Sequence, residues 1–251
     1  MMKVAIITGG SRGLGKNMAL NIASKGQDVI LTYNSQQKEA EEVVASIEKL
    51  GRKAVALQLD VSDTKSFVAF REAVKEKLTQ VWNRDNFNFL VNNAGFGIYA
   101  PFAETTEEQF DKMVNVHIKG TFFLTQALLP LLADGGRIIN ISTGLTRFAS
   151  SGYSAYATMK GAIEVLTHYL ATELGSRGIT ANTVAPGAIA TDFIGGAVRD
   201  NPELNQLVAA QTALGRVGQA EDIGGVVAAL LSEETRWITA ERIEVSGGMY
   251  L

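Results

Sequence analysis

Tyr156 and Lys160 are the residues whose types and spacing most directly suggest chemistry. They stand four apart in a run that continues through Ile163, Leu166, Tyr169, Leu170 and Leu174, the apolar spacing of an amphipathic helix. That separation puts both side chains on one helix face, one turn apart. A phenol has a reference pKa of about 10 and is a poor acid at neutral pH. An ammonium about 4 Å away attracts a phenolate by roughly 4 kcal/mol at an effective dielectric near 20. This is on the order of three pKa units, enough to bring Tyr156 close to neutrality and make the pair a candidate for proton transfer. A Tyr and a Lys at this spacing more often simply pack and snorkel, so the assignment depends on the elements that position them.

Residues 2–8 form a short apolar run that leads into Thr8-Gly9-Gly10-Ser11-Arg12-Gly13-Leu14-Gly15, followed by a helix closing at Gly26. Glycine lets backbone amides approach a ligand closely and a helix amino terminus adds partial positive charge, so this junction suits a pyrophosphate. The pattern is T-G-x-x-x-G-x-G and not G-x-G-x-x-G, because Met18 stands where the last glycine would fall. Gly9, Ser11, Gly13, Leu14 and Gly15 are the candidate contacts. The second strand, residues 28–34, ends in Thr32-Tyr33-Asn34-Ser35 without the acid that binds ribose hydroxyls and repels a 2′-phosphate. Arg12 in the glycine turn, with neutral hydrogen bonds from Asn34 and Ser35, points instead to NADP(H).

Further strands are expected at residues 53–59, 88–91, 136–142, 179–185 and 242–245. The intervening helices are expected at residues 36–50, 64–78, a long stretch after Thr106, a segment reaching about Arg177, and 221–231. Residues 79–86 read as a polar, irregular surface excursion. Strands that alternate with helices predict an α/β fold: a Rossmann-type, doubly wound parallel sheet of about seven strands, helices on both faces, in a single domain spanning residues 1–251. Ligands in such a sheet bind at the carboxyl ends of the strands. Asp60, Asn92-Asn93-Ala94-Gly95, Ser142 and Pro186-Gly187 all fall there. Residues 188–217, rich in glycine and polar side chains, are expected to form a substrate lid.

Hydrophobic residues at 46%, charged residues at 20% and a net charge of -3 describe a soluble globular protein without a nucleic-acid surface. Cysteine is absent, which excludes disulfides, thiol nucleophiles and thiolate metal sites; no metal site and a cytoplasmic location are expected. No apolar stretch reaches the roughly 18 residues of a membrane span. His117 and His168 read as hydrogen-bonded packing residues.

Taken together, the glycine motif from Thr8 to Gly15, Asp60, Asn92 to Gly95, Asn115, Ser142, the Tyr156-x-x-x-Lys160 pair, and Pro186-Gly187 with Thr191 resemble the short-chain dehydrogenase/reductase family along essentially the whole chain. No departure is apparent at these positions. The resemblance implies Tyr156 as general acid for carbonyl reduction, or base for the reverse. Lys160 would lower its pKa and bind the nicotinamide ribose, Ser142 would polarise the substrate carbonyl, and Asn115 would hold a water that relays protons to Lys160. Asp60 would meet the adenine, with Val61 beside it. Asn93, Ala94 and Gly95 would support sheet and cofactor, and Pro186, Gly187, Ile189 and Thr191 would lie along the nicotinamide end. The implied activity is NADP(H)-dependent interconversion of a small-molecule ketone or aldehyde and its alcohol, in a homo-oligomer (tetramer or dimer). The 3-oxoacyl-carrier-protein reductases share this plan and are the sharper alternative; a non-catalytic NADP(H)-binding sensor or interaction protein is the alternative of another class. Phe148, Tyr153, Phe193 and Ile194 are expected to wall an apolar substrate pocket. Arg147 either recognises an anionic tail, such as a phosphopantetheine, or is a solvated loop charge.

Overall fold

Short strands whose side chains are apolar on both sides can be stable only with both sheet faces covered. β1 (Val4–Ile7) is the clearest case, with all of its residues buried. In the computed structural model, which describes residues 2–251, it is joined by β2 (Asp28–Tyr33), β3 (Ala54–Gln58), β4 (Phe87–Asn92), β5 (Leu132–Ile141), β6 (Thr180–Pro186) and β7 (Arg242–Val245). All pair in parallel, in the order β3-β2-β1-β4-β5-β6-β7. The helices, in chain order, are α1 (Gly13–Ser24), α2 (Gln37–Lys49), α3 (Phe67–Trp82), α4 (Glu107–Met113), α5 (Thr121–Leu128), α6 (Ser154–Leu174), α7 (Ala197–Asp200), α8 (Pro202–Ala210) and α9 (Ala220–Leu230).

Strand alternation divides the core in two. Ile7, Leu31, Val91, Ile139 and Val184 pack with Met18 and Ile22 of α1 and Ile223 and Val227 of α9. Ile6, Ile30, Leu90, Ile138 and Ala181 face the other way, onto Phe70 and Val74 of α3, Leu124 of α5 and Ala171 of α6. The chain leaves the β3 edge and re-enters beside β1, so the winding reverses between β1 and β4 and opens a crevice at the carboxyl ends of the strands. This is the expected single-domain, doubly wound fold.

Local departures have local causes. Residues 79–82 are helical because α3 continues to Trp82, whose indole Nε1 donates to Asp28 Oδ2 at 2.7 Å; the left-handed Asn83 (φ 51°) then ends the helix. β5 begins at Leu132, paired with Phe87, and a register shift precedes the Phe89–Arg137 pair. Between α4 and α5 the backbone is a π-helix, Val114–Gly120. Its wider turn changes which side chains face the sheet: His117 is buried at 1% exposure, whereas Asn115 is turned outward to accept from Lys119 Nζ at 3.0 Å.

Candidate active site

The carboxyl ends of β1, β2, β4, β5 and β6 border one cavity of about 810 Å³. At its β1 end, a Cβ on Gly15 would lie 2.1 Å from the Gly9 carbonyl oxygen, so only glycine permits this turn to close on itself. Gly9 and Gly13 hold φ of 66° and 54°. Asn93 Nδ2 donates to the carbonyls of Thr8 (2.9 Å) and Gly9 (3.2 Å), and Thr8 Oγ1 accepts the amides of Asn93 and Ala94. The first turn of α1 carries neither a side-chain cap nor an acid, which leaves its backbone amides free for an anion. Ser11, Arg12 and Leu14 line the cavity with Asn34 and Ser35, and no carboxylate follows β2. Asp60 caps the turn after β3, its Oδ1 accepting Ser62 N at 2.8 Å and Ser62 Oγ at 2.7 Å, and Val61 joins the lining. Pro186 ends β6. Gly187 is forced by Ser246, whose Cα would lie 2.9 Å from an added Cβ. Ile189 bridges to Gly218, and Thr191 Oγ1 accepts from Phe193 N. A glycine cradle, open amides and a guanidinium without a competing acid fit a phosphorylated dinucleotide.

Tyr156 and Lys160 lie in the same cavity, each 6% exposed. Lys160 Nζ donates to the Ile141 carbonyl at 2.8 Å and lies 5.8 Å from the centroid of the Tyr156 ring. Burial lowers the Lys160 pKa to about 8. Burial also pushes the Tyr156 phenol upward, and Tyr153 adds to the shift. The expected phenol near neutrality is therefore not what the structure shows. The ammonium is engaged by the strand carbonyl and desolvation dominates, so Tyr156 keeps its proton.

Two polar groups of the same cavity were not singled out in the sequence as catalytic. His117 Nε2 lies 2.7 Å from the Phe96 carbonyl, so that nitrogen carries the proton and Nδ1 is a bare acceptor, buried and without a partner among the described residues. Burial, and then the Lys160 charge, push its pKa down to about 3, so the ring is neutral. It meets the Tyr156 ring edge-on with centroids 5.5 Å apart. A Cβ on Gly95 would lie 2.7 Å from His117 Cε1, which explains that glycine. Asn115, by contrast, is not brought to the cavity.

The second group is Thr143. Ser142 Oγ donates to Glu164 Oε1 at 2.7 Å, and the same carboxylate oxygen accepts from Thr146 Oγ1 (2.7 Å) and Arg242 Nε (2.9 Å). Thr143 Oγ1 accepts from Leu145 N at 3.3 Å, and its own hydroxyl proton has no acceptor among the described residues. Both residues line the cavity, and Ser142 Oγ also lies 3.5 Å from the Lys160 carbonyl; successive residues of an extended segment point to opposite sides, so the two adjacent hydroxyls find different partners. Arg147 is an exposed loop charge, as one of the two expectations had it, but its guanidinium is already paired and not free for an anionic tail. Its Nε and Nη2 each donate to Glu244 at 2.6 Å, and its Nη groups donate to the carbonyls of Met249 (2.5 Å) and Tyr250 (3.0 Å).

Over residues 9–250 the chain matches the family described as enoyl-(acyl carrier protein) reductase. An uncharacterized oxidoreductase of Methylorubrum extorquens is 39% identical over 247 residues, covering 98% of this chain and 97% of that protein. Among solved structures, the promiscuous reductase LugOII, which catalyses keto-reduction at C1 during lugdunomycin biosynthesis, superposes with a TM-score of 0.94 at 38% identity, covering 99% of this chain and 98% of that one. The angucycline C-6 ketoreductase LanV, solved with bound NADP, superposes equally well, with a TM-score of 0.94 at 37% identity over 99% of this chain and 95% of that one. No helix among the described residues is long and apolar enough to cross a membrane. On these full-length matches, the chain belongs to the short-chain dehydrogenase/reductase family of oxidoreductases.

Proposed function

We propose that this protein reduces a ketone to a secondary alcohol with NADPH, Tyr156 delivering the proton. The observation that carries this reading is the buried Tyr156–Lys160 pair in the same cavity as an acid-free phosphate cradle. Gly9, Ser11, Gly13, Leu14, Gly15, Arg12, Asn34 and Ser35 would hold the phosphorylated adenosine end, with Asp60 and Val61 at the adenine. Asn93 to Gly95, Pro186, Gly187, Ile189 and Thr191 would hold the other end. When bound, the cofactor supplies the hydride. Tyr156 gives its hydroxyl proton to the carbonyl oxygen, and Lys160 carries the positive charge that offsets the phenolate left behind. Thr143, whose hydroxyl proton is free, polarises the carbonyl, while Ser142 anchors Glu164. Neutral His117 takes the polar place beside Lys160 that the sequence assigned to Asn115, fixing the Phe96 loop and the Tyr156 ring edge. Residues 188–217 act as the lid. Likeness to the NADP-bound ketoreductase LanV and to LugOII supports the cofactor and the ketone. The acyl-carrier alternative has no free guanidinium at Arg147 to support it. A cytoplasmic homo-oligomer completes the reading.

Monitoring NADPH oxidation against a ketone panel tests it. Tyr156→Phe is expected to lower kcat by about 10²–10⁴-fold while NADPH binding stays near wild type. Thr143→Val is expected to lower kcat more than Ser142→Ala does. Substantial turnover by Tyr156→Phe would remove the proposed acid, and the reverse order of the two hydroxyl variants would return the polarising role to Ser142.

A further inference from the structure

The carboxyl-terminal residues are built into the cavity wall. Beyond β7, Gly247 and Gly248 (φ 64° and 76°) turn the chain back, and Thr212 pairs with Met249 in an antiparallel bridge. Tyr250 is then tied at both ends of the residue. Its amide donates to the Gln211 carbonyl at 3.0 Å and its hydroxyl to Gln211 Oε1 at 2.6 Å. Its carbonyl, like that of Met249, accepts from Arg147, whose guanidinium is itself clamped on Glu244. Tyr250 keeps a left-handed φ of 53°, a conformation that bulky residues adopt only when their surroundings over-determine it. The outcome of these ties is that its ring lies 4.6 Å, centroid to centroid, from Phe148, in the loop after β5. Both rings line the cavity, together with Phe96, Tyr153 and Phe193.

We infer that this terminal strap is the specificity wall of the site, and that the Phe148–Tyr250 pair seats a flat, uncharged aromatic group of the substrate. The inference rests on the ketoreductase reading and deepens it. The Phe148–Tyr250 ring pair forms this part of the lining, and the nearby cation, Arg147, is held by Glu244 and by the strap carbonyls, so the wall offers ring contacts and no free countercharge. An anionic tail would meet no partner there.

The test compares kcat/KM for 2-tetralone with that for cyclohexanone. Removing one ring of an aromatic contact is worth about 0.5–1.5 kcal/mol beyond burial, so Tyr250→Ala is expected to lower the 2-tetralone to cyclohexanone ratio by about three- to tenfold. Tyr250→Phe, which keeps the ring, should retain most of the ratio, and Arg147→Met, which releases the strap, should lower it. An unchanged ratio in Tyr250→Ala overturns the inference. Binding of 2-naphthol in the presence of NADP+ reads the wall without turnover, and should weaken by a similar factor in Tyr250→Ala. Tyr250-dependent 2-naphthol binding without any ketone turnover would leave the strap standing and remove the ketoreductase reading. Ketone turnover with equal 2-naphthol binding by wild type and Tyr250→Ala, or no 2-naphthol binding by either, would remove the strap.

Discussion

Burial acts on the ionisable groups around Tyr156 in one direction, toward the uncharged form. For His117 this has a consequence for stability. Its folded pKa, about 3, lies below the ordinary 6.5, so between those values the unfolded chain binds more protons. Stability therefore rises with pH across that window, and a penalty absent above the unfolded value grows as the solution is acidified. At pH 5 the penalty is about 2 kcal/mol. His117→Gln, which cannot charge, should lose correspondingly less stability between about pH 7.5 and pH 5 in denaturant titrations; parallel losses would show that His117 is accessible to protons in the fold. Arg12 poses the other single-residue question. Charge-assisted hydrogen bonds are worth about 1.5–3 kcal/mol, so Arg12→Ala should erode the preference for NADPH over NADH by roughly ten- to a hundredfold. Equal kcat/KM ratios for wild type and variant would remove Arg12 from the 2′-phosphate site.

At the scale of elements, the β1–α1 turn depends on two glycines for different reasons. Gly13 has a φ of 54°, and a Cβ there would meet only Thr191 Cβ, at 3.9 Å. Gly13→Ala therefore incurs mainly the left-handed backbone penalty of about 1–2 kcal/mol. Gly15→Ala would drive a Cβ into the Gly9 carbonyl and Asn93 Nδ2, and neither can yield without opening the turn that holds β1 to β4. Gly15→Ala is expected to lower Tm and NADPH affinity more than Gly13→Ala, by thermal melts and by NADPH fluorescence titration. An equal or smaller effect would refute the close packing. The π-helical segment shows the same dependence on neighbours. Its wider turn carries His117 to the site and Asn115 away from it, a rotation that apolar periodicity between Phe110 and Leu129 does not register.

On the scale of the whole molecule, the helices that support the site also present apolar side chains to solvent. Phe122 and Phe123 of α5 are each 44% exposed, and Val165 and Tyr169 of α6 are 55% and 63% exposed. The sheet buries only one side of these helices, and the homo-oligomer proposed above would cover the other. Light scattering after size exclusion should report a mass above that of one chain, and Tyr169→Glu should shift it toward the monomer. A monomeric wild type would leave those side chains to another role.

What the sequence by itself determined was everything governed by local order. Strand–helix alternation specified the parallel sheet, the glycine turn specified where an anion can sit, and the missing acid after β2 specified which dinucleotide is not repelled. Those features depend on backbone conformation and on spacing within one turn or one strand end. Only the tertiary structure decided which of two neighbouring hydroxyls keeps a free proton, because the answer lies with Glu164 and Arg242, distant in sequence from Ser142. It likewise decided that Arg147 serves Glu244 and the terminal strap, and that the Tyr156 phenol is held up by burial and not drawn down by Lys160. Side-chain direction and desolvation are set by residues that meet only once the sheet is assembled, and no pattern along the chain records them.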